Sequence, residues 1–360
     1  MLNVIYAAVA LGLLVFVHEL GHFLVARMAN VKVLVFSLGF GKKLLTYRRG
    51  ETEYALSAFP LGGYVKMLGE SADDEIPEAE AHRAYSNKPP LVKMAIAFAG
   101  PFFNVIFAAF LFYLIFVTGF PVLRPVVGDV IQDSPAAHAG LKKGDIIEKI
   151  DGKSITEWTG LQSVVASSES KPLEFSVRRD GKSFDVKITP KEIEDKNIFG
   201  EVVNRKMIGV GPSGETVIQR ENLVNAFPRA LQRTYHISEL TVLGLYKLVM
   251  GTISSKNIGG PILILQTAGK TAREGKSTFL NFVAIISINL AIVNVLPIPI
   301  LDGGHILFYA IELIIRRQIP RRTIEMAQRV GIAILILIMA FAFYNDIARM
   351  LGAGKVFGVF

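Results

Sequence analysis

Apolar residues in this chain gather into long uncharged runs instead of alternating evenly with polar ones. A helix that crosses about 30 Å of hydrocarbon needs roughly 20 such residues. Leu2 to about Ala26 meets that length, interrupted only by His18, Glu19 and His22; Met94 to Phe120 carries no charge, and Phe279 to Leu301 is a third run. Val330 to Tyr344 is shorter, but Arg329 and Asp346 at its ends can snorkel and lengthen the span. The pattern predicts a polytopic α-helical membrane protein with four transmembrane helices, at 1–29, 93–120, 278–303 and 329–349, followed by a tail at 350–360. The first run lacks a basic leader and a small-residue cleavage pattern, so it is expected to be retained and not removed as a signal peptide.

Between these runs the periodicity shortens. Within 30–92, alternation over Val31 to Leu38, Leu44 to Tyr47, Tyr54 to Phe59 and Tyr64 to Leu68 predicts short strands, with Gly39, Gly41, Gly62 and Gly63 as turns. Phe59 to Leu68 is poor in charge, which fits either a hairpin dipping into the bilayer beside protein or a peripheral sheet. Six acids and a proline between Glu70 and Glu80 suggest a solvated, disordered loop. The insert at 121–215 reads as a small β-rich domain. It has strand-like Ile146 to Ile150, an Asp151-Gly152 turn, a helix near Trp158 to Ser167 and a hairpin turning at Asp180-Gly181. In 216–277, Leu223 to Met250 has helical periodicity with too many charges for a span, as an amphipathic interfacial helix would. Residues 304–328 read as a basic loop.

Composition agrees with a membrane protein, at 51% hydrophobic and 19% charged residues. The net charge of +8 sits mostly beside the spans, where it sets orientation, so nucleic acid is not an expected partner. Arg316, Arg317, Arg321 and Arg322 place the loop between the third and fourth spans on the cytoplasmic side. Both termini and the insert are then outside, and 30–92 is cytoplasmic. The chain has no cysteine, which leaves His, Asp and Glu as ligands for any zinc.

The chemistry lies in His18-Glu19-Leu20-Gly21-His22. An H-E-x-x-H run on a helix puts both imidazoles on one face, and the intervening glutamate can take a proton from a water that the metal has made acidic. Ionisable groups in a span cost on the order of 2.5–3.5 kcal/mol each, so they are functional by default. Catalytic zinc usually takes a third protein ligand. Asp302, closing the third run, and His305 beyond it are the candidates, and Asp302 is preferred because a His₂-carboxylate set suits hydrolysis. The first and third spans run in the same direction, so His18 and Asp302 both fall toward the cytoplasmic side. Asn104 and Asn294 lie inside spans; each can bond a neighbouring helix, and Asn294 is the better functional candidate for its nearness to Asp302. His82, His138 and His236 lack ligand spacing.

The HELGH run, Gly100-Pro101 with Asn104 in the second span, and N-x-x-P-x-P-x-L-D-G from Asn294 to Gly303 together resemble the site-2 protease family, in its bacterial regulator of sigma-E protease group. The resemblance covers nearly the whole length. It implies one zinc ion on His18, His22 and Asp302, Glu19 as catalytic base, and substrate contact by Asn294, Pro297 and Pro299. It also implies a membrane-associated hairpin around Phe59 to Met67, one external PDZ-like domain of the permuted kind, and residence in the bacterial inner membrane. The implied substrates are single-span membrane proteins, such as an anti-sigma factor already trimmed by another protease. Some relatives carry two external PDZ modules, and this insert has room for one. An intramembrane substrate must unwind before cleavage, and the expected partner for its freed backbone is the cytoplasmic hairpin or an extended Pro297–Pro299 segment. A non-proteolytic scaffold and a zinc transporter are the competing classes; the intact Glu19 and the apolar second and fourth spans argue against them.

Overall fold

The computed structural model describes residues 2–71, 74–169, 171–197, 199–253 and 259–352, so most of the expected tail lies outside the described residues. The chain divides into two units: one from the N-terminus to Ile115 together with the chain from Leu223 onward, the other Phe116–Asn222. Among the described residues four helices are long and apolar enough to cross a membrane, over Ile5–Met28, Pro90–Thr118, Lys276–Val295 and Arg322–Met350.

Helix α1 (Leu2–Met28) leads into two long strands, β1 (Val33–Arg49) and β2 (Thr52–Met67). Each strand bends back on itself. Residues 33–38 therefore pair on one side with 53–56 and on the other with 63–67, while 43–49 pairs with 52–57. The result is the four short strands that the alternation predicts, with 63–67 at an edge. The bend in β1 uses Gly39 at φ +92°, where a Cβ would stand 2.7 Å from the Phe59 carbonyl oxygen. Beneath the sheet, Ala26, Val31, Val33, Phe36, Val65, Met67 and Ile96 form a buried cluster joining it to α1 and α2 (Pro90–Thr118).

The acidic stretch is not free loop over its described residues. Glu80 pairs with Lys32 at 2.5 Å and Asp74 with Lys66 at 3.2 Å, and 3₁₀ turns form at Glu78–Arg83 and Tyr85–Asn87. Basic residues on and beside the sheet supply the counter-charges, a pairing that composition alone does not show.

The second unit begins with β3 (Phe120–Leu123), which pairs with β12 (Thr216–Gln219), and β4 (Val127–Val130), which pairs with β11 (Val210–Pro212). Between them lie α3 (Pro135–His138), β5 (Ile146–Ile150), β6 (Lys153–Ser154), α4 (Trp158–Ser167), β7 (Leu173–Arg179) and β8 (Lys182–Ile188), followed by the hairpin of β9 (Lys191–Lys196) and β10 (Val202–Met207). A four-stranded sheet in the order β6-β5-β7-β8 covers a core that includes Val127, Ile147, Ile150, Trp158, Phe175 and Val177. The unit extends a few residues past the expected 121–215 at each end. Asp145 is fully buried and accepts from Arg179 Nε at 2.7 Å and from the Lys142 N–H at 2.8 Å. Burial pushes its carboxyl up, but the Arg179 guanidinium and the Lys142 N–H prevail and hold it below the usual carboxylate range.

The chain returns through α5 (Leu223–Val249), joined to the third span by Thr241 Oγ1 donating to Asn289 Oδ1 at 2.9 Å, and α6 (Pro261–Glu274). The third span, α7 (Lys276–Val295), stops at Val295 and does not run to 303. Pro297 and Pro299 cannot donate the N–H groups that a helix needs. The chain instead makes tight turns, with the Ile298 N–H donating to the Leu296 oxygen and the Leu301 N–H to the Ile298 oxygen. The Pro297–Pro299 segment is therefore not extended. Where a basic loop was expected, Asp302 opens a new helix, α8 (Asp302–Ile315), closed by Arg316 in the left-handed region. A Cβ at Gly303 would lie 2.1 Å from the Val295 oxygen, so the first turn of α8 packs where a larger residue would not fit. The last helix, α9 (Arg321–Met350), is longer than its uncharged run.

Candidate metal centre

His18 and His22 project from successive turns of α1 toward α2. Two glycines make this approach possible. A Cβ at Gly21 would stand 2.4 Å from the Ala99 oxygen, and one at Gly100 would stand 2.4 Å from His22 Nε2 and 2.8 Å from His18 Cε1. The spacing of the HELGH run therefore acts together with a gap in the facing helix.

Asp302, the first residue of α8, completes the group. Its Oδ2 lies 3.1 Å from His18 Nε2 and its Oδ1 lies 3.5 Å from His22 Nε2, while the two Nε2 atoms are 3.2 Å apart. His22 Nδ1 donates to the Ile96 carbonyl at 2.7 Å, which leaves its Nε2 as the free lone pair. Asp302 Oδ2 is buried and accepts no hydrogen bond. With Nε2 of both rings unprotonated, two imidazole lone pairs and a carboxylate converge on one point and repel one another unless a cation lies among them. This donor set fits a divalent metal, and a His₂-carboxylate trio suits hydrolytic zinc. Among the described residues no other group of three His, Asp or Glu side chains converges in this way.

The remaining sequence candidates separate by position. Glu19 lines the cavity beside the trio and presses against the sheet, since a Cβ at Gly63 would meet Glu19 Cγ at 3.0 Å. Asn294, near the end of α7, places Nδ2 3.3 Å from His18 Nε2. Asn104, fully buried in α2, lies on the other side of the same ring, with Nδ2 3.2 Å from His18 Nδ1. His305, the rival third ligand, lines the cavity and stacks near Tyr309, but it is not among the converging atoms. Pro297 and Pro299 form the turn that delivers Asp302, and neither lines the cavity.

The cavity measures about 490 Å³ and runs from the trio along the edge strand at Gly63, Tyr64 and Val65 toward Glu70, Tyr85 and Tyr309. Tyr85 and Tyr309 meet hydroxyl to hydroxyl at 2.9 Å, and the Lys93 ammonium lies 5.9 and 5.5 Å from their ring centres. Sequence reasoning found none of these three, because their meeting depends on contacts between distant segments. Nor did it find the Ile96 carbonyl, which carries no side-chain signal. Asn104 was visible as the polar residue in an uncharged span, but Asn294 was preferred over it.

The chain is similar to known proteins along most of its length. The model of peptidase family M50 matches residues 6–338. A presumptive zinc metalloprotease of Campylobacter jejuni is 42% identical, covering 95% of this chain and 92% of that protein. The regulator of sigma-E protease of Escherichia coli strain K12 is 33% identical over 95% of this chain and 97% of its own. Among solved structures, a PDZ domain from Listeria monocytogenes is matched over 25% of this chain and 85% of its own, at 24% identity and a TM-score of 0.20. With the family model spanning both the HELGH helix and the Asp302 turn, the chain belongs to peptidase family M50, the metalloendopeptidases of the site-2 protease type.

Proposed function

We propose that this enzyme hydrolyses peptide bonds within the transmembrane segments of single-span membrane proteins. The observation that carries the reading is the convergence of His18, His22 and Asp302 beside Glu19 in a cavity bordered by spanning helices. His18, His22 and Asp302 would hold one zinc ion. When bound, zinc supplies a Lewis acid that polarises a carbonyl and makes water acidic. Glu19 takes a proton from the attacking water and returns it to the leaving amine. The Asn294 amide faces the same point and can steady the oxyanion.

A helical substrate hides its carbonyls in internal hydrogen bonds, so it must unwind and find other partners for its backbone. Of the two surfaces expected to supply them, the Pro297–Pro299 segment is a series of turns, whereas 63–67 is an edge strand that borders the cavity. Strand addition to 63–67 is the better mode. The substrate class is an anti-sigma factor already trimmed by another protease; the name of the Escherichia coli relative, a regulator of sigma-E protease, supports a link to sigma-factor control. Residence in a bacterial inner membrane with the site toward the cytoplasm is supported by Arg316, Arg317, Arg321 and Arg322 between the last two spans. The insert would lie on the opposite side as a PDZ-like domain.

The test uses purified protein and its Glu19→Gln variant in detergent with a model single-span substrate, with and without a chelator, while zinc is counted. We expect about one zinc per chain in both forms, and cleavage by the variant slower by about 10³-fold. Equal cleavage by both forms would remove Glu19 from the chemistry.

A further inference from the structure

His18 can offer Nε2 to a metal only when its proton sits on Nδ1. For His22 the Ile96 carbonyl enforces that choice. For His18 the group opposite Nδ1 is the side-chain amide of Asn104, 3.2 Å away and fully buried. An amide nitrogen facing Nδ1–H would set two donors against each other, and Asn104 Oδ1 is a buried acceptor with no partner. The two ends of an amide have nearly the same shape, so a half-turn about its last torsion exchanges them. That half-turn brings Oδ1 to Nδ1–H and removes both conflicts. The backbone of Asn104 is held as well, because its carbonyl accepts from Ser287 Oγ of α7 at 2.8 Å.

We infer that Asn104 is a positioning residue for the metal centre: its side-chain oxygen accepts the Nδ1–H of His18 and so commits Nε2 to the metal. The inference rests on the proposed zinc role of the His18, His22 and Asp302 trio. Asn104 is then the counterpart on α2 of the Ile96 carbonyl, one residue fixing each imidazole. The alternative is that Asn104 merely joins helices by hydrogen bonding.

The two differ in what they require at position 104. Orientation of His18 requires an acceptor, which Asp supplies as well as Asn, since carboxylates commonly orient metal-binding histidines. The test measures zinc affinity by chelator competition on the purified full chain, together with the absorption spectrum of the cobalt-loaded protein. Asn104→Leu should weaken zinc binding by about 10–100-fold and change the cobalt spectrum, whereas Asn104→Asp should stay within about threefold of the parent. If Asn104→Leu does not yield folded protein, Asn104→Ala, which also lacks the acceptor, takes its place. Parental zinc affinity in the Leu or Ala variant would overturn the inference, as would an Asp variant weakened as much as they are. A separate control isolates the underlying reading: if His18→Ala binds zinc as tightly as the parent, the trio is not the zinc site and the fault lies there.

Discussion

Two buried aspartates and a third that is only partly buried separate structural from chemical roles. In the insert, Asp145 is met by Arg179 and by a backbone N–H. In α9, Asp346 is fully buried and accepts from the N–H groups of Gly260, Ile262 and Leu263, which open α6, and from Arg349. Each has its donors and is explained by the fold. Asp302 faces two imidazole nitrogens, and its Oδ2 has no hydrogen-bond donor. Burial alone therefore says little, and the missing donor says most. The two units differ in the same sense at their surfaces. Ile147, Phe175 and Val177 are inside the insert, while in the spanning helices Phe110, Ile336 and Leu337 point outward and His18, His22 and Asn104 lie inside. Exposure in one unit means water and in the other means lipid.

The sharpest way to break the comparison is to treat the aspartates alike. Asp302→Ala should weaken zinc binding on the order of 10³-fold with the fold retained, because it removes a ligand and not a structural partner; near-parental affinity in a chelator competition would place Asp302 outside the site. Next come the two meanings of exposure. Leu337 in α9 and Val202 in β10 are 71% and 63% exposed. Leu337→Lys should cost about 3 kcal/mol in a membrane-insertion assay, whereas Val202→Lys should shift unfolding by less than about 0.5 kcal/mol. Similar costs would mean that α9 does not face lipid.

Asp145→Asn should destabilise the insert by about 2 kcal/mol through loss of charged hydrogen bonds, read from denaturant unfolding of the full chain, and leave zinc content unchanged. Because the folded carboxyl titrates below its usual range, the contribution is complete above about pH 4 and fades as pH falls through the folded value. The variant should therefore lose less stability than the parent on acidification; parallel loss in both would exclude the Asp145–Arg179 pair as the source. The smallest effect should come from Gly100→Ala, whose methyl meets the far ends of the imidazoles. We expect zinc binding weaker by about tenfold as the rings shift, with the insert unaffected.

Much of this was legible in the sequence because its signals are local. Three of the spans follow from apolar length, the fourth from a shorter run with charged ends that can snorkel, and the juxtaposition of His18 and His22 from one turn of helix. Asp302 stood out as an acid at the end of a span, and the four strands of the 33–67 region followed from alternation. Contacts between distant segments were not legible. Alternation cannot say that residues 33–38 would lie between two partners and leave 63–67 as the edge beside the cavity. Charge counting cannot say that Lys32 and Lys66 would tie down the acidic stretch. The prolines announced a break in α7 but not the turns and new helix that follow it.

The sequence by itself determined which residue types could hold a metal and that lipid would surround them, since both depend on neighbours a few positions apart. Only the tertiary structure decided that Asp302 and not His305 meets the imidazoles, that Ile96 and Asn104 stand behind them, and that Gly100 leaves them room. Those outcomes depend on how separate helices approach one another, and close packing between segments leaves no periodic trace in either one.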